Sequence, residues 1–194
     1  MNTKLYSSQF NFVDTHFGLK DLHLQNTLLI GFGIALLAIA SQIAIPVPFS
    51  PVPITAQSLM VLIIGSLFGA KRALYTTLGY LALGSMGAPI FSAGSFGLAK
   101  VFGPTGGYLL GFAIAAYLMG KLAELKKDRT IKDAIALFTL GHVVIFAVGL
   151  TWLSFYVGAN NTLAMGLYPF IPGLIIKTFL AALIVPGMWK SKES

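Results

Sequence analysis

Lys177 is the residue whose position in this sequence most strongly indicates chemistry with a bound molecule. It falls inside a long apolar run, and no aspartate or glutamate occurs between Asp133 and Glu193. A lysine at the centre of a membrane helix costs at least about 2.5–3.5 kcal/mol, so it is functional by default; the alternative is that its stem snorkels to an interface. Acids are also absent from Leu22 to Ala123. Any anionic partner of Lys177 is therefore expected to come from a substrate, or Lys177 is neutral when the site is empty.

Other side chains able to do chemistry are few and form no catalytic pattern. The chain has no cysteine, which excludes disulfides, thiolate catalysis and cysteine-ligated metals. It contains no GxxxxGK[ST] nucleotide loop and no HExxH or GxSxG motif. An intramembrane enzyme could use only Ser92, Ser95 and His142. Because His142 has no second ligand at metal spacing, it is more typical of a buried histidine hydrogen-bonded between helices, and we expect no enzyme activity, cofactor or metal.

The elements that position Lys177 must be membrane-spanning helices. Hydrophobic residues make up 56% of the chain and charged residues 10%, against about 25% charged in soluble domains. The net charge of +7 does not indicate nucleic-acid binding, because the basic residues lie in gaps between apolar runs. The length of 194 residues leaves room for six helices of about 20 residues each. The predicted spans are Thr27–Ile45, Ala56–Ala70, Ala73–Gly87, Gly106–Leu125, Asp133–Val157 and Pro169–Trp189.

The sequence thus predicts an all-α integral membrane protein with six transmembrane helices. The second and third spans are short, so they must be tilted, lengthened into loops, or packed against protein rather than lipid. We expect a cytoplasmic or interfacial segment at 1–25, a membrane domain at 26–190 and a basic cytoplasmic tail at 191–194. The segment 1–25 is either an amphipathic stretch at the membrane surface or a weakly ordered tail.

Basic residues predict the orientation of these helices, since cytoplasmic loops accumulate lysine and arginine. Lys71 and Arg72 follow the second span, five basic residues lie between positions 121 and 132, and two more are near the end of the chain. The connections after spans one, three and five contain a single basic residue, Lys100, which is typical of a solvated surface charge. Both termini are therefore predicted to be cytoplasmic, with the three other connections outside.

The three outer connections have unusual compositions. Four prolines in residues 45–57 exclude a helix and predict a stiff extended segment, either a lid over a cavity or a rigid spacer. Residues 87–108 are rich in glycine, which permits close backbone approach or close helix packing. Residues 158–168 lead into Pro172-Gly173, which is predicted to break or kink the outer end of the sixth span.

Spans two, four and six all begin on the outer side, each directly after one of these connections. Three helix N-termini with unpaired N–H groups and partial positive charge would converge there. Thr55 and Thr105 are candidate N-caps, or else ligand contacts. An outward-facing pocket of this polarity favours an anion such as a carboxylate.

Four motifs in these connections resemble the BioY family, in that family's order and spacing over about residues 27–189. They are Pro48–Gln57, Gly87–Phe91, Gly103–Leu109 with Gly111-Phe112, and Pro169–Gly173 with Lys177.

The resemblance implies the substrate-binding (S) component of an energy-coupling-factor (ECF) transporter in the bacterial cytoplasmic membrane. Such a component captures biotin at an outward-facing site, with the first loop as its lid. A transmembrane coupling protein and two cytoplasmic ATPases drive transport, which agrees with the missing nucleotide loop. The resemblance also implies docking on the coupling protein through small residues of the first helix, although packing within the chain explains them equally well. The candidates are Gly31, Ala35, Ala40 and Ala44.

One position departs from the family pattern. The last family motif is similar to Pro-Phe-Ile-Pro-Gly-Asp-x-x-Lys, and Leu174 stands at the aspartate position here, while Lys177 is kept. A carboxylate there would accept hydrogen bonds from the ureido nitrogens of biotin, and its loss costs about 1–3 kcal/mol unless Gln57 or Thr55 replaces it. The alternatives to an S component for biotin are a solitary vitamin carrier and an S component for a different small carboxylate. The predicted substrate-binding residues are Lys177, Gln57, Thr55, Phe91, Tyr108 and Leu174.

Overall fold

The computed structural model describes residues 21–193, and it describes side chains as far as Trp189. Most of the predicted N-terminal segment 1–25 and the last residue of the predicted tail lie outside the described residues. The described chain is helical apart from two short strands, β1 (Ala44–Ile45) and β2 (Ile54–Thr55). The helices are α1 (Leu22–Gln42), α2 (Gln57–Phe68), α3 (Ala70–Ser85), α4 (Leu98–Val101), α5 (Gly106–Glu124), α6 (Ile131–Val157), α7 (Ala159–Gly166) and α8 (Ile171–Glu193).

Four stretches of the described chain are long and apolar enough to cross a membrane. They are α1, α5, α6 and the run Ala159–Trp189, which joins α7 to α8. Helix α2 has 12 residues, which at 1.5 Å per residue span about 18 Å of the roughly 30 Å hydrocarbon core. It is buried on several sides by the other helices. The short helix α2 therefore packs against protein, which is one of the alternatives that the sequence predicts for this span.

Helix α5 lies at the centre of the bundle and packs against α6, α2 and α3. Glycines allow this close approach. A Cβ atom added to Gly107 would lie 2.2 Å from the Cβ of Trp152 on α6. One added to Gly120 would lie 2.3 Å from the backbone nitrogen of Ala70 on α3. Small residues thus hold the central helix in contact with its neighbours, as is usual in membrane bundles.

A buried polar cluster closes one end of the bundle. The Asp128 carboxylate, in the link between α5 and α6, accepts hydrogen bonds from Ser66 Oγ of α2 at 2.5 Å and Trp189 Nε1 of α8 at 3.0 Å. Arg129 forms an ion pair with it at 2.5 Å. Burial raises the pKa of Asp128, and the Ser66 bond and the Arg129 charge act in the opposite direction. This end contains the predicted cytoplasmic links and lies away from the proline-rich segment.

The connections at the opposite end contain structure that the sequence did not predict. The proline-rich segment is closed at its base by antiparallel pairing of Ala44 with Thr55 and Ile45 with Ile54. Residues 158–168, predicted as a loop, contain α7. The expected break at Pro172-Gly173 is wrong in position. A 3-10 turn at Tyr168–Phe170 separates α7 from α8, and Pro172 lies in the first turn of α8, where proline needs no hydrogen-bond partner.

The four residues predicted to dock a partner lie on different faces. Gly31 and Ala35 are exposed on α1, and a Cβ atom added to Gly31 would meet nothing within 4 Å. Ala40 is only 3% exposed and packs inside the chain, and Ala44 lies half-buried in β1. Ala40 therefore does not belong to an exposed docking face, because its side chain meets the chain's own core.

Candidate functional site

A narrow cavity lies at the end of the bundle opposite the Asp128 cluster. Its walls come from the proline-rich segment, the start of α2, the connection between α3 and α5, the start of α5, the middle of α6 and the first turns of α8. All six residues predicted to bind substrate line it, although their contact with a ligand stays a prediction. The lining residues are Val52, Pro53, Thr55, Gln57, Ser58, Phe91, Ser92, Lys100, Thr105, Tyr108, Leu109, Phe112, His142, Ile145, Phe146, Phe170, Leu174 and Lys177.

Lys177 joins α8 to the segment that follows the prolines. Its ammonium donates a hydrogen bond to the backbone carbonyl of Thr55 at 2.6 Å and to Ser58 Oγ at 3.1 Å. An ammonium carries three N–H donors, so one donor is left for a further acceptor. These two bonds hold the positive charge at the cavity wall, half-buried and without a carboxylate beside it.

Gln57 belongs to a hydrogen-bond chain that positions Phe91. Its side-chain nitrogen donates to the Tyr80 hydroxyl at 2.6 Å, and that hydroxyl donates to the Ile90 carbonyl at 2.8 Å. The next residue, Phe91, is 1% exposed and packs edge-on against the Tyr80 ring, with centroids 5.4 Å apart. Gln57 and Phe91 thus form two connected parts of one wall.

Aromatic rings form another wall of the cavity. Tyr108 and Phe170 stack with centroids 6.5 Å apart, and Phe146 meets both rings edge-on at 5.8 and 5.9 Å. The Tyr108 hydroxyl donates to the carbonyl of Gly166 at 2.8 Å, which connects α5 to the end of α7. This cluster offers an apolar surface of fixed shape to the flat or aliphatic part of a ligand.

The two threonines expected at helix N-termini have different roles. The N-cap of α2 is Ala56 rather than Thr55, because Thr55 belongs to β2. Thr105 occupies the N-cap position of α5, but its hydroxyl makes no capping bond and donates instead to the Lys100 carbonyl at 3.3 Å. Both threonines line the cavity, so the alternative role of ligand contact remains open to them.

The proline-rich segment is fastened across the cavity. Val52 and Val47 are 5% and 9% exposed, so this segment packs into the chain despite its four prolines. Ser50 Oγ donates to the Met165 carbonyl of α7 at 2.6 Å. The segment is therefore held at its base by strand pairing and at its far end by one hydrogen bond.

Two titratable residues of the cavity, His142 and Lys100, were not among the sequence-predicted site residues. His142 is buried and lies 3.2 Å from Thr178 Oγ1 of α8, which confirms the expected bond between helices. It also lines the cavity, as does Lys100, which is half-buried rather than fully solvated. Burial lowers the pKa of Lys100. The place of Lys100 in the cavity wall is apparent only in the folded chain, because the sequence around Lys100 has no distinctive pattern.

No cluster of three or more metal-ligating side chains occurs in residues 21–189. The cavity instead combines two cations, hydroxyl and amide groups, and an aromatic wall. Such an arrangement suits an organic molecule with an apolar body and polar or anionic ends.

Comparison with known proteins identifies the family. A model of the BioY family matches residues 11–194. The chain belongs to the BioY family. The BioY proteins compared include "Biotin transporter BioY2" of Lactococcus lactis subsp. cremoris (strain MG1363), which is 34% identical over 85% of this chain and 90% of the relative. "Biotin transporter BioY" of Rhizobium etli (strain ATCC 51251) is 37% identical over 79% of this chain and 86% of the relative.

A solved structure shares the fold of this BioY chain. The crystal structure of "the S-component for biotin from an ECF-type ABC transporter" superposes with a TM-score of 0.79 and 29% sequence identity. The match covers 89% of this chain and 94% of that one. The chain therefore has the S-component fold and belongs to a family of transport proteins rather than enzymes, as predicted from the sequence.

Proposed function

We propose that this chain captures biotin at an outward-facing site and serves as the S component of an ECF transporter that takes biotin into the cell. The observation that carries the proposal is that all six sequence-predicted binding residues line one cavity in a BioY protein. The names of its relatives support the choice of substrate.

The cavity has groups for each part of biotin. Biotin is a compact ring system that carries a polar ureido group, with an aliphatic chain ending in a carboxylate. The aromatic wall of Tyr108, Phe146 and Phe170 would pack against the apolar part. Lys100 supplies positive charge for the anionic end, Lys177 has one N–H left for a polar acceptor of the ligand, and no acid lies among the cavity residues. This pairing of charges would favour an anionic vitamin over a neutral one.

We infer that six helices, α1, α2, α3, α5, α6 and α8, cross the bacterial cytoplasmic membrane. An even number of crossings leaves both termini on one side. The basic links and the Asp128 cluster would then face the cytoplasm, in accordance with the positive-inside rule, and the cavity would open outwards. In this arrangement residues 26–190 form the membrane domain, and the two terminal segments are cytoplasmic.

We further infer that transport energy comes from partner proteins. The sequence has no nucleotide-binding loop. A transmembrane coupling protein and two cytoplasmic ATPases would therefore supply the energy for transport. The exposed face of α1 supports docking there. Gly31 and Ala35 lie on it among large apolar side chains such as Phe32 and Ile39, which are 59% and 64% exposed.

Uptake by proteoliposomes tests this function. Vesicles would hold the chain alone, the coupling protein with its ATPases alone, or the full complex, with ATP supplied on the ATPase side. We expect ATP-dependent biotin accumulation only with the full complex. Equal uptake by the chain alone would establish a solitary carrier instead. Failure of the full complex to move biotin, with uptake of another small carboxylate, would establish a different substrate, as Leu174 in place of the family aspartate could require.

A further inference from the structure

One nitrogen atom in the cavity wall has no protein partner. Among the described side chains, two buried polar atoms lack a hydrogen bond, and only one of them, His142 Nε2, belongs to a cavity residue. The other, Thr76 Oγ1, is on α3 away from this wall. His142 itself is 1% exposed. A buried polar atom without a partner destabilises the folded chain, so such an atom in a binding cavity indicates a ligand contact.

The neighbours of His142 define what its free nitrogen can do. Nδ1 lies 3.0 Å from the carbonyl oxygen of Phe138, one turn earlier on α6. A carbonyl only accepts hydrogen bonds, and two acceptors at this distance would repel, so Nδ1 carries the proton. The Thr178 hydroxyl, 3.2 Å away, then accepts from the same N–H. In the neutral ring, Nε2 is therefore an acceptor whose lone pair lies on the side away from α6's own backbone and has no protein donor.

Two other acceptors in the cavity are already engaged by protein donors. Gln57 Oε1 accepts from Thr55 Oγ1 at 3.1 Å, and Ser58 Oγ accepts from Lys177. Leu174, one turn before Thr178 on α8, offers no polar atom. His142 Nε2 is thus a fully buried cavity acceptor that the protein leaves unused, and it lies next to the part of α8 that contains Leu174 and Lys177.

We infer that His142 Nε2 accepts a hydrogen bond from an N–H of the bound molecule. Given the proposed function, on which this inference rests, the donor is a ureido N–H of biotin. The lone pair of Nε2 would repel a carboxylate, so the ring end of biotin lies at His142 and the carboxylate lies elsewhere in the cavity. The site thereby selects a neutral cyclic urea at this position rather than any small acid.

The test measures equilibrium binding to the full-length chain in nanodiscs. The ligands are biotin and its two analogues that carry a methyl group on one or the other ureido nitrogen. The variants are His142→Phe, which keeps a buried ring without an acceptor, and His142→Gln, whose side-chain oxygen can take the place of Nε2. Thermal unfolding of each variant reports whether it is folded.

We expect His142→Phe to weaken biotin binding about 10- to 100-fold and His142→Gln to restore part of the loss. One methylated analogue should bind the natural chain more weakly than biotin, and His142→Phe should add little further loss for that analogue. A merely structural role would weaken all three ligands equally and would overturn the inference.

Other outcomes separate this inference from the proposed function. If the natural chain does not bind biotin, the proposed function fails and this inference fails with it. If the natural chain binds biotin and the folded His142→Phe variant binds it equally well, only this inference is wrong. If His142→Phe does not fold, the natural chain alone still decides, because equal affinity for biotin and both methylated analogues would show that no ureido N–H is needed.

Discussion

Replacing Lys177 with methionine removes the ammonium and keeps an unbranched side chain of similar length. In the structure this ammonium donates to the Thr55 carbonyl and to Ser58 Oγ, which leaves one N–H for a ligand acceptor. A hydrogen bond to a charged group contributes about 1.5–3 kcal/mol. The variant should therefore bind biotin about 10- to 150-fold more weakly than the natural chain.

The assay is titration of labelled biotin into purified protein in nanodiscs. Lys121→Met is the matched control, since Lys121 lies at the far end of α5 with an exposed side chain paired to Glu124. It should bind biotin like the natural chain. Lys177→Met also removes the donor from the Thr55 carbonyl, so its thermal unfolding must be measured in parallel. A folded Lys177→Met variant with unchanged biotin affinity would refute the role of Lys177 in the site.

Three further predictions concern other parts of the molecule. Lys100→Gln should weaken biotin binding about 2- to 5-fold, because the lysine is half exposed, and should hardly change binding of biotin amide; equal losses for both ligands would contradict a carboxylate contact. Asp128→Ala should lower the free energy of unfolding by about 3–5 kcal/mol, since it removes the buried carboxylate that Ser66, Arg129 and Trp189 share, and an unchanged unfolding curve would show that the cluster is not stabilising. Gly107→Ala should lower the free energy of unfolding by about 1–3 kcal/mol, because the added methyl group overpacks against Trp152. Gly31→Ala should hardly change it, because Gly31 faces open space. Equal effects of the two variants would contradict the close contact of α5 with α6.

The helices were largely predictable because lipid imposes a simple pattern. Each of the six predicted spans corresponds to one helix, and the boundaries of α5 and α6 differ from the prediction by no more than two residues. Caps and charges set these ends, such as Thr130 at the start of α6, which accepts from Asp133 N. Length and composition alone support four crossings of the described chain, since α2 and α3 are short.

The outer connections were less predictable because tertiary contacts determine them. Prolines correctly excluded a helix at residues 46–53, but the pairing of β1 with β2 depends on two segments that meet only in the folded chain. Helix α7 was missed since its short sequence, with two asparagines, lacks a clear apolar period. The Pro172-Gly173 pair predicts a break by its sequence alone, but proline is also favoured in the first turn of a helix, which is where Pro172 lies.

The sequence predicted the kinds of side chain in the candidate site, but only some of the residues that line it. Motifs in the connections indicated Gln57, Phe91 and Tyr108, and the charge pattern indicated Lys177. His142 and Lys100 looked ordinary in the sequence, because a buried histidine and a loop lysine have common structural explanations. Only the fold brings them to the same cavity.

Equilibrium binding of labelled biotin to the purified chain in nanodiscs tests the central claim most directly. We predict saturable binding that desthiobiotin displaces through the shared ureido ring, and that biotin amide displaces less well because it lacks the negative charge. Absence of saturable binding by a chain whose cooperative thermal unfolding shows that it is folded would contradict the assignment of this cavity to biotin.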